Sequence, residues 1–481
     1  MRTHTARAAL VALIVAVGAP SLPRAASPAV PRPTVVGPVT GGTHGKPYGA
    51  LSAEELSQTK SAETEFFFSG SATAYERDGS WDVDGKWKAR PASQADYKVR
   101  MLVRRPADAA RFNGVVVVEW LNVTAQQEGA ADYAQMKEEL TREGYAWVGI
   151  GAQTVGVNAP KTGLKAWDAE RYGSLVHPGD AYSYDIFSQA AQAVLDTGGA
   201  NAPLSGLRVR YMLATGRSQS ASRLITYINA VHPLTHLFNG YFVHSRGAGA
   251  PGVTPTEQSF RGDGAAAGPH IRTDIDAPVF DLETEGDMIN SLRGHLARQD
   301  PGAHYRRWEV AGAAHVDSPR WVVEAPPALD MGPGCKDPIN AAPLHAVAKA
   351  GLRALTHWVR DGVAPPQSPV IEVSDLTAAD PVVRDRHGNA KGGIRLPEME
   401  APTARMDGLR NEVAGQGQSF CGLYGHTMPL GPDALASLYP THEAFVKQFS
   451  RAADDLERQG YWLKPEADQA RKAAAESRIG R

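Results

Sequence analysis

One serine stands at a sharp turn between two stretches of different character. Residues 209–214 favour a β-strand, and the apolar residues of 219–231 recur at helical spacing. Ser218 lies between them in the run Gly216-Arg-Ser-Gln-Ser220, with small residues on both sides. A strand, a tight turn and a helix hold a serine hydroxyl clear of a sheet, as a nucleophile elbow requires. Serine in the last position, where glycine is common, still lets the helix approach the strand but gives up the conformational freedom of glycine.

The residues that would activate this serine follow it in the chain. A serine hydroxyl is a poor nucleophile until a histidine accepts its proton and a carboxylate orients that histidine. Asp287 follows a predicted strand that ends at Leu282, and His315 follows another that ends at Val310. The carboxyl ends of parallel strands meet at one edge of a sheet. We therefore predict a triad of Ser218, His315 and Asp287 at that edge.

Two choices within this triad depend on position alone. Glu285 lies two residues before Asp287 in the same turn and stays open as the acid, but Asp287 is preferred because it sits further into the loop. His315 is preferred among the fifteen histidines because it follows the right strand in the right order. Three others lie near the helix after the serine and are interpreted as packing residues: His232, His236 and His244.

The negative oxygen that forms during acyl transfer needs two backbone N–H donors. One is expected from Gln219, the residue after the nucleophile. The other is expected from the loop after the β-branched run 115–118, with Leu121 or Asn122 as the donor.

Composition describes an ordinary globular chain. It has 481 residues, 42% of them hydrophobic and 21% charged, with Lys and Arg scattered along it. The net charge of −2 gives no reason to expect nucleic acid or an acidic membrane as a partner.

The N-terminus resembles a secretory signal peptide. Arg2, His4 and Arg7 precede an apolar run over residues 8–19, and small residues follow it. The run is too short to span a bilayer, so no stable membrane insertion is expected after processing. Residues 1–29 are therefore assigned to the signal peptide, and the protein to the periplasm or the exterior.

Only two cysteines are present, Cys335 and Cys421. In an exported protein a pair of cysteines indicates one disulfide rather than a metal site, which would need about four ligands. Gly- and Pro-rich surroundings favour the same pairing, which would tie the segment after His315 to the C-terminal part of the chain.

The remaining pattern predicts a mostly parallel sheet with helices on both faces. The run 115–118, a helix over 132–143 and a strand over 145–150 form a βαβ unit, preceded by two antiparallel strands. Residues 153–180 form a long loop of the kind that is often functional. We predict a single α/β-hydrolase domain over residues 30–481, with long loops and a C-terminal extension from about 365 to 481 packed on it.

Seven runs carry a family resemblance: Glu65-Phe-Phe-Phe-Ser-Gly-Ser-Ala72, Val118-Glu-Trp-Leu-Asn-Val-Thr124, Arg171-Tyr-Gly-Ser-Leu-Val-His-Pro-Gly-Asp180, Tyr184-Asp-Ile-Phe-Ser-Gln189, Gly216-Arg-Ser-Gln-Ser-Ala221, Val310-Ala-Gly-Ala-Ala-His315 and Gly392-Gly-Ile-Arg395. Over roughly residues 35–465 the chain resembles a family of large, mostly bacterial, secreted α/β-hydrolase-domain proteins. The resemblance implies a serine hydrolase with G-x-S-Q-S-A at the elbow. It names no single substrate and does not decide between the two carboxylates.

These observations favour hydrolysis of carboxylic esters, from small molecules or polymers, through an acyl-enzyme. An acyltransferase or amidase could use the same triad, and a non-catalytic binding scaffold is a third hypothesis. No cofactor or metal is implied, and the sequence leaves the oligomeric state open.

Overall fold

The computed structural model describes residues 30–199, 201–258, 268–289, 292–316, 334–378, 380–409, 411–414 and 420–481. The predicted signal peptide, residues 1–29, lies outside these ranges. Among the described residues, none of the helices combines the length and the apolar character needed to cross a membrane.

A nine-stranded sheet forms the centre of the described fold. Its strands are, in chain order, β1 (Thr34–Val36), β2 (Ser61–Arg77), β3 (Ala89–Pro106), β4 (Val115–Trp120), β5 (Ala146–Ile150), β6 (Tyr211–Arg217), β7 (Gly240–His244), β8 (Val279–Thr284) and β9 (Tyr305–Val310). Across the sheet their order is β1-β2-β3-β5-β4-β6-β7-β8-β9. The first three strands and the β3–β5 pair are antiparallel, and all pairs from β5 to β9 are parallel. The predicted mostly parallel sheet is confirmed.

Helices connect the strands and extend the C-terminal part. They are α1 (Ala53–Thr59), α2 (Ala131–Arg142), α3 (Thr154–Asn158), α4 (Leu164–Trp167), α5 (Ala169–Tyr172), α6 (Ser183–Leu195), α7 (Gln219–Thr226), α8 (His232–Thr235), α9 (Glu285–Ile289), α10 (Leu344–Asp361), α11 (Pro397–Glu400), α12 (Cys421–Tyr424), α13 (Pro432–Leu438), α14 (His442–Gln459) and α15 (Lys464–Glu476). The expected long loop thus contains three short helices. The helix expected from 219 to 231 is α7 followed by a π-helical turn, Tyr227–Val231.

Strand β4 shows why the sheet is covered on both faces. All six of its residues are buried. Val116 and Val118 pack in one apolar cluster with residues of α6 and α7, whereas Val115 and Val117 pack in a second cluster with residues of α2 and α10. Because successive side chains of a strand point to opposite faces, an unbroken apolar run needs a hydrophobic layer on each side.

The C-terminal segment packs on the last strand of the sheet. The Ile394 N–H donates to the Glu309 carbonyl at 2.7 Å, and the Ala311 N–H donates back to the Ile394 carbonyl at 3.1 Å. Tyr461 packs edge-on against Trp308, with ring centroids 5.0 Å apart. These contacts support our proposal that residues 365–481 extend the same domain.

Cys335 and Cys421 form a disulfide, with Cα atoms 5.5 Å apart, so the predicted pairing is confirmed. The second cysteine begins α12, whose Leu423 carbonyl accepts from the Val316 N–H, next to His315. The disulfide thus fixes α12 to Cys335, and α12 in turn is hydrogen-bonded to the residue that follows His315. Disulfides persist in oxidising compartments, in agreement with the predicted export.

We expect the double variant Cys335→Ser/Cys421→Ser to unfold at a lower temperature and a lower denaturant concentration than the wild-type protein. The disulfide closes a loop with a sequence separation of 86. Cross-linking a loop of this length stabilises a fold by roughly 4–5 kcal/mol in the chain-entropy account. Unfolding curves of the variant and of the oxidised and reduced wild-type protein measure the effect. Coincident curves would contradict it.

Candidate active site

Ser218 connects β6 to α7 in a strained backbone conformation, with φ 62° and ψ −119°. A residue with a β-carbon rarely adopts a positive φ, and such strain is concentrated at functional sites. Gly216 permits the close crossing of strand and helix, since a β-carbon there would lie 3.0 Å from the backbone of Ser220. The predicted strand, turn and helix therefore hold Ser218 at their apex.

Ser220 has a specific role at the position where many elbows carry glycine. Its hydroxyl accepts from the Arg217 N–H at 3.0 Å and donates to the Arg217 carbonyl at 2.9 Å. The side-chain amide of Asn122 donates to the same carbonyl at 2.8 Å. The Ser220 hydroxyl thus stabilises the turn by hydrogen bonds within it, and the Asn122 side chain connects the turn to the loop after β4.

The structure brings Ser218, His315 and Asp287 together. Nε2 of His315 lies 2.8 Å from Oγ of Ser218, and Nδ1 lies 2.5 Å from Oδ1 of Asp287. The other oxygen of Asp287 accepts from the Thr284 N–H at 2.8 Å. Burial alone would raise the pKa of Asp287, but its interactions with His315, together with hydrogen bonds to Ser245 and Thr284, outweigh burial and lower that pKa to about 2. This carboxylate is therefore ionised at neutral pH.

The hydrogen bonds described for the Glu285 carboxylate go to other residues and give it a different role. One of its oxygens accepts from the Gly312 N–H at 2.7 Å, and the other accepts from Arg384 at 3.2 Å and the Gly408 N–H at 3.3 Å. Burial raises the pKa of Glu285 to about 7, although Arg384 acts in the opposite direction. Glu285 thus joins the loop before His315 to the C-terminal segment.

Of the three backbone N–H groups predicted as oxyanion donors, one lacks a hydrogen-bond acceptor in the residue ranges that the structure describes, and two already have one. Among the described residues the Gln219 N–H has no acceptor and is available. The Leu121 N–H donates to the Ile150 carbonyl at 3.2 Å, and the Asn122 N–H donates to the Gly129 carbonyl at 2.9 Å. Contrary to the prediction, neither of these two groups is available. The N–H of the next residue, Val123, has no acceptor within the described part of the chain.

The loop over residues 153–180 contributes residues that the sequence analysis did not assign to the site. Gln153 accepts from the side-chain amide of Gln219 at 2.9 Å and from the indole N–H of Trp120 at 3.0 Å. Its own amide donates to Asp180 at 3.2 Å, and Asp180 forms an ion pair with Arg223 of α7 at 3.1 Å. Two signals in the sequence pointed to this loop: its length, and the presence of Asp180 in one of the family-like runs.

His244 lies beneath the elbow and is more than a packing residue. Its Nδ1 lies 2.7 Å from the carboxylate of Asp132, and its carbonyl accepts from the Ser218 N–H at 2.8 Å. Burial, followed by the nearby Arg217 guanidinium, lowers the pKa of His244, so the ring is neutral at pH 7. The His244–Asp132 pair thus supports the backbone of the elbow at Ser218.

The sheet order, with the strained serine between β6 and α7, defines an α/β-hydrolase fold. The family model described as "Alpha/beta hydrolase domain" matches residues 35–472, and the chain belongs to this family. A search of the curated proteins finds no significant match.

Several solved structures are similar to this chain. An α/β serine hydrolase without a lid, from Xanthomonas campestris, is 12% identical, covers 59% of this chain and 94% of its own, and has a TM-score of 0.30. A glucuronoyl esterase from Solibacter usitatus is 11% identical, with coverages of 59% and 83% and a TM-score of 0.30. A cold-adapted esterase from an Arctic intertidal metagenomic library is 14% identical, with coverages of 54% and 89% and a TM-score of 0.27. None of them identifies a substrate for this chain.

Proposed function

We propose that this protein is a serine hydrolase that cleaves carboxylic esters through an acyl-enzyme on Ser218. The observation that carries the proposal is the continuous hydrogen-bonded relay from Asp287 through His315 to the hydroxyl of Ser218, with separations of 2.5 and 2.8 Å. Nucleophile, base and orienting acid at these distances are the signature of an activated serine.

In the proposed first half-reaction, Nε2 of His315 accepts the proton of the Ser218 hydroxyl as its oxygen attacks the ester carbonyl carbon. The imidazolium that forms is stabilised by Asp287, which stays ionised throughout. The tetrahedral intermediate collapses, the C–O bond to the alcohol breaks, and His315 protonates the departing oxygen. Water then attacks the acyl-enzyme with His315 again as the base, releasing the acid and regenerating Ser218.

For the oxyanion we propose the N–H groups of Gln219 and Val123 as donors. Gln219 begins α7, so the positive end of the helix dipole adds to its effect. Val123 belongs to the loop that Asn122 fastens to the elbow carbonyl, which places this loop beside the nucleophile. Preorganised donors of this kind typically contribute a factor of about 10²–10³ to the rate.

A fluorophosphonate probe tests the proposal. We expect one adduct per chain, located on Ser218 by peptide mass spectrometry, because the probe reacts only with an activated serine. In a crystal structure of the adduct, the phosphoryl oxygen should lie about 3 Å from the nitrogens of Gln219 and Val123. A folded protein that fails to label would favour a binding scaffold. A phosphoryl oxygen that points away from Val123 would contradict only the role of Val123 as an oxyanion donor and would leave the proposed nucleophile unaffected.

The substrate class is tested separately, on the active protein. Esters that vary in acyl and alcohol groups, together with the matching amides, should show turnover of esters above that of amides. Diversion of the product from acid to a new ester by an added alcohol would instead indicate an acyltransferase.

A further inference from the structure

We propose that His232, His236 and Asp276 form a binding site for a divalent transition metal ion such as Zn²⁺. One potential ligand atom from each of the three residues lies within 4.8 Å of the others. Oδ1 of Asp276 is 2.9 Å from Nε2 of His232 and 3.4 Å from Nδ1 of His236. Nitrogen and oxygen ligands about 2.0–2.2 Å from a tetrahedral zinc ion lie about 3.4 Å from one another, so small side-chain rotations suffice.

The spacing of the two histidines supports this assignment. His232 begins α8 and His236 directly follows its last residue, so they are four positions apart and share one face of a helical turn. Paired histidines at this spacing are a recurrent way to bind zinc on a helix. His236 adopts the left-handed conformation with φ 48°, which ends the helix while its ring still faces Asp276.

The inner histidine is held by a second partner. The side chain of His232 is buried, and its Nδ1 lies 2.8 Å from the hydroxyl of Tyr241. A hydrogen bond at one ring nitrogen fixes the orientation of a ligating histidine and directs the other nitrogen toward the ion. In the metal-bound form, Nδ1–H of His232 would donate to the Tyr241 hydroxyl, which leaves the lone pair of Nε2 for the ion.

The site is accessible from solvent. The Asp276 side chain is 58% exposed, and a cavity of about 450 Å³ is lined by His236, Asp276 and His304. An ion could enter through this cavity and complete its coordination with water, as three protein ligands leave a position open.

The proposed ion would act at a distance from the candidate catalytic residues. From Ser218 the chain runs through α7 and a π-helical turn to His232, the first residue of α8, which is about four helical turns or roughly 20 Å. The ion would clamp the end of this helical run to the loop before β8. We therefore expect metal to raise stability, and the site does not depend on the proposed hydrolase chemistry.

The test uses the full chain without a histidine tag, stripped with a chelator and then dialysed against Zn²⁺ or Co²⁺. We expect the wild-type protein to bind one ion more per chain than His236→Asn, measured by elemental analysis. Asparagine tolerates the left-handed conformation, so this variant removes the imidazole without disturbing the backbone. Zn²⁺ should raise the thermal midpoint of the wild-type protein and not that of the variant, and Co²⁺ should give visible absorption bands only with the wild type.

His357→Asn is the matched control. Nδ1 of His357 lies 2.8 Å from Asp361, four positions along α10, which makes a histidine–carboxylate pair without a second histidine. This variant should bind as much metal as the wild type, and Asp276→Asn should bind as little as His236→Asn. Equal metal content and equal thermal shifts in the wild type, His236→Asn and Asp276→Asn would overturn the proposal. Absence of binding by the wild type would overturn it as well.

Discussion

Replacing Ser218 with alanine is expected to lower kcat/KM for ester hydrolysis by about 10³-fold or more, as loss of a triad nucleophile does. The Ser218 hydroxyl makes its described side-chain hydrogen bond to His315, so its removal takes away the attacking atom and little of the packing. The fold should therefore be retained. Hydrolysis of an activated ester measures the effect, with circular dichroism and the thermal midpoint as checks on folding.

Ser222→Ala provides the matched control for this variant. Ser222 is buried on α7, the helix that follows Ser218, and its hydroxyl donates to the carbonyls of Ser218 and Arg246 rather than to His315. Its loss should leave turnover within a small factor of the wild-type value. Near-normal turnover in a folded Ser218→Ala protein would refute the proposed nucleophile.

Asp287→Asn is expected to lower kcat by about 10³–10⁴-fold, whereas Glu285→Gln should lower it far less. Asparagine cannot stabilise the imidazolium of His315 and favours the wrong tautomer of the ring. Glu285 bonds instead to Gly312, Gly408 and Arg384, so its replacement acts on the loop that carries the histidine. Steady-state kinetics of both variants, with thermal unfolding in parallel, separate the two roles.

The expected pattern is a large loss of turnover with little loss of stability in Asp287→Asn, and a loss of stability that exceeds the loss of turnover in Glu285→Gln. Loss of the Glu285 carboxylate leaves the half-buried Arg384 without one of its carboxylate partners, and leaves the buried Gly312 and Gly408 N–H groups with a weaker acceptor. If Glu285→Gln had the larger effect on kcat at equal stability, the orienting role would pass to Glu285.

The arrangement of Ser218, Asp287 and His315 could be predicted because it depends on local patterns. Each residue follows a short strand that contains β-branched, aromatic or other apolar residues, and parallel strands deliver their carboxyl ends to one edge. The second oxyanion donor could not be predicted in this way. Which N–H is available after β4 depends on hydrogen bonds to residues far along the chain, such as that from Leu121 to Ile150.

Two features of the helices could not be predicted from the sequence, for related reasons. The π-helical turn at Tyr227–Val231 keeps its residues buried, so apolar spacing looks helical throughout. Helix α15 buries only Glu466, Ala467 and Ala474, and a stripe of this kind is too weak for periodicity to reveal. Tertiary packing, rather than local preference, determines both.

The pairing of Ile394 with β9 has a consequence for solubility. The last strand of an open sheet presents unpaired N–H and C=O groups that can recruit a strand from another molecule. Here β9 pairs with β8 along one edge. On its other edge, near its C-terminal end, the backbone of Ile394 forms hydrogen bonds with the Glu309 carbonyl and the Ala311 N–H. The C-terminal segment therefore covers part of this strand edge. We expect its removal to expose the edge and to promote association between the sheets of different copies of the protein.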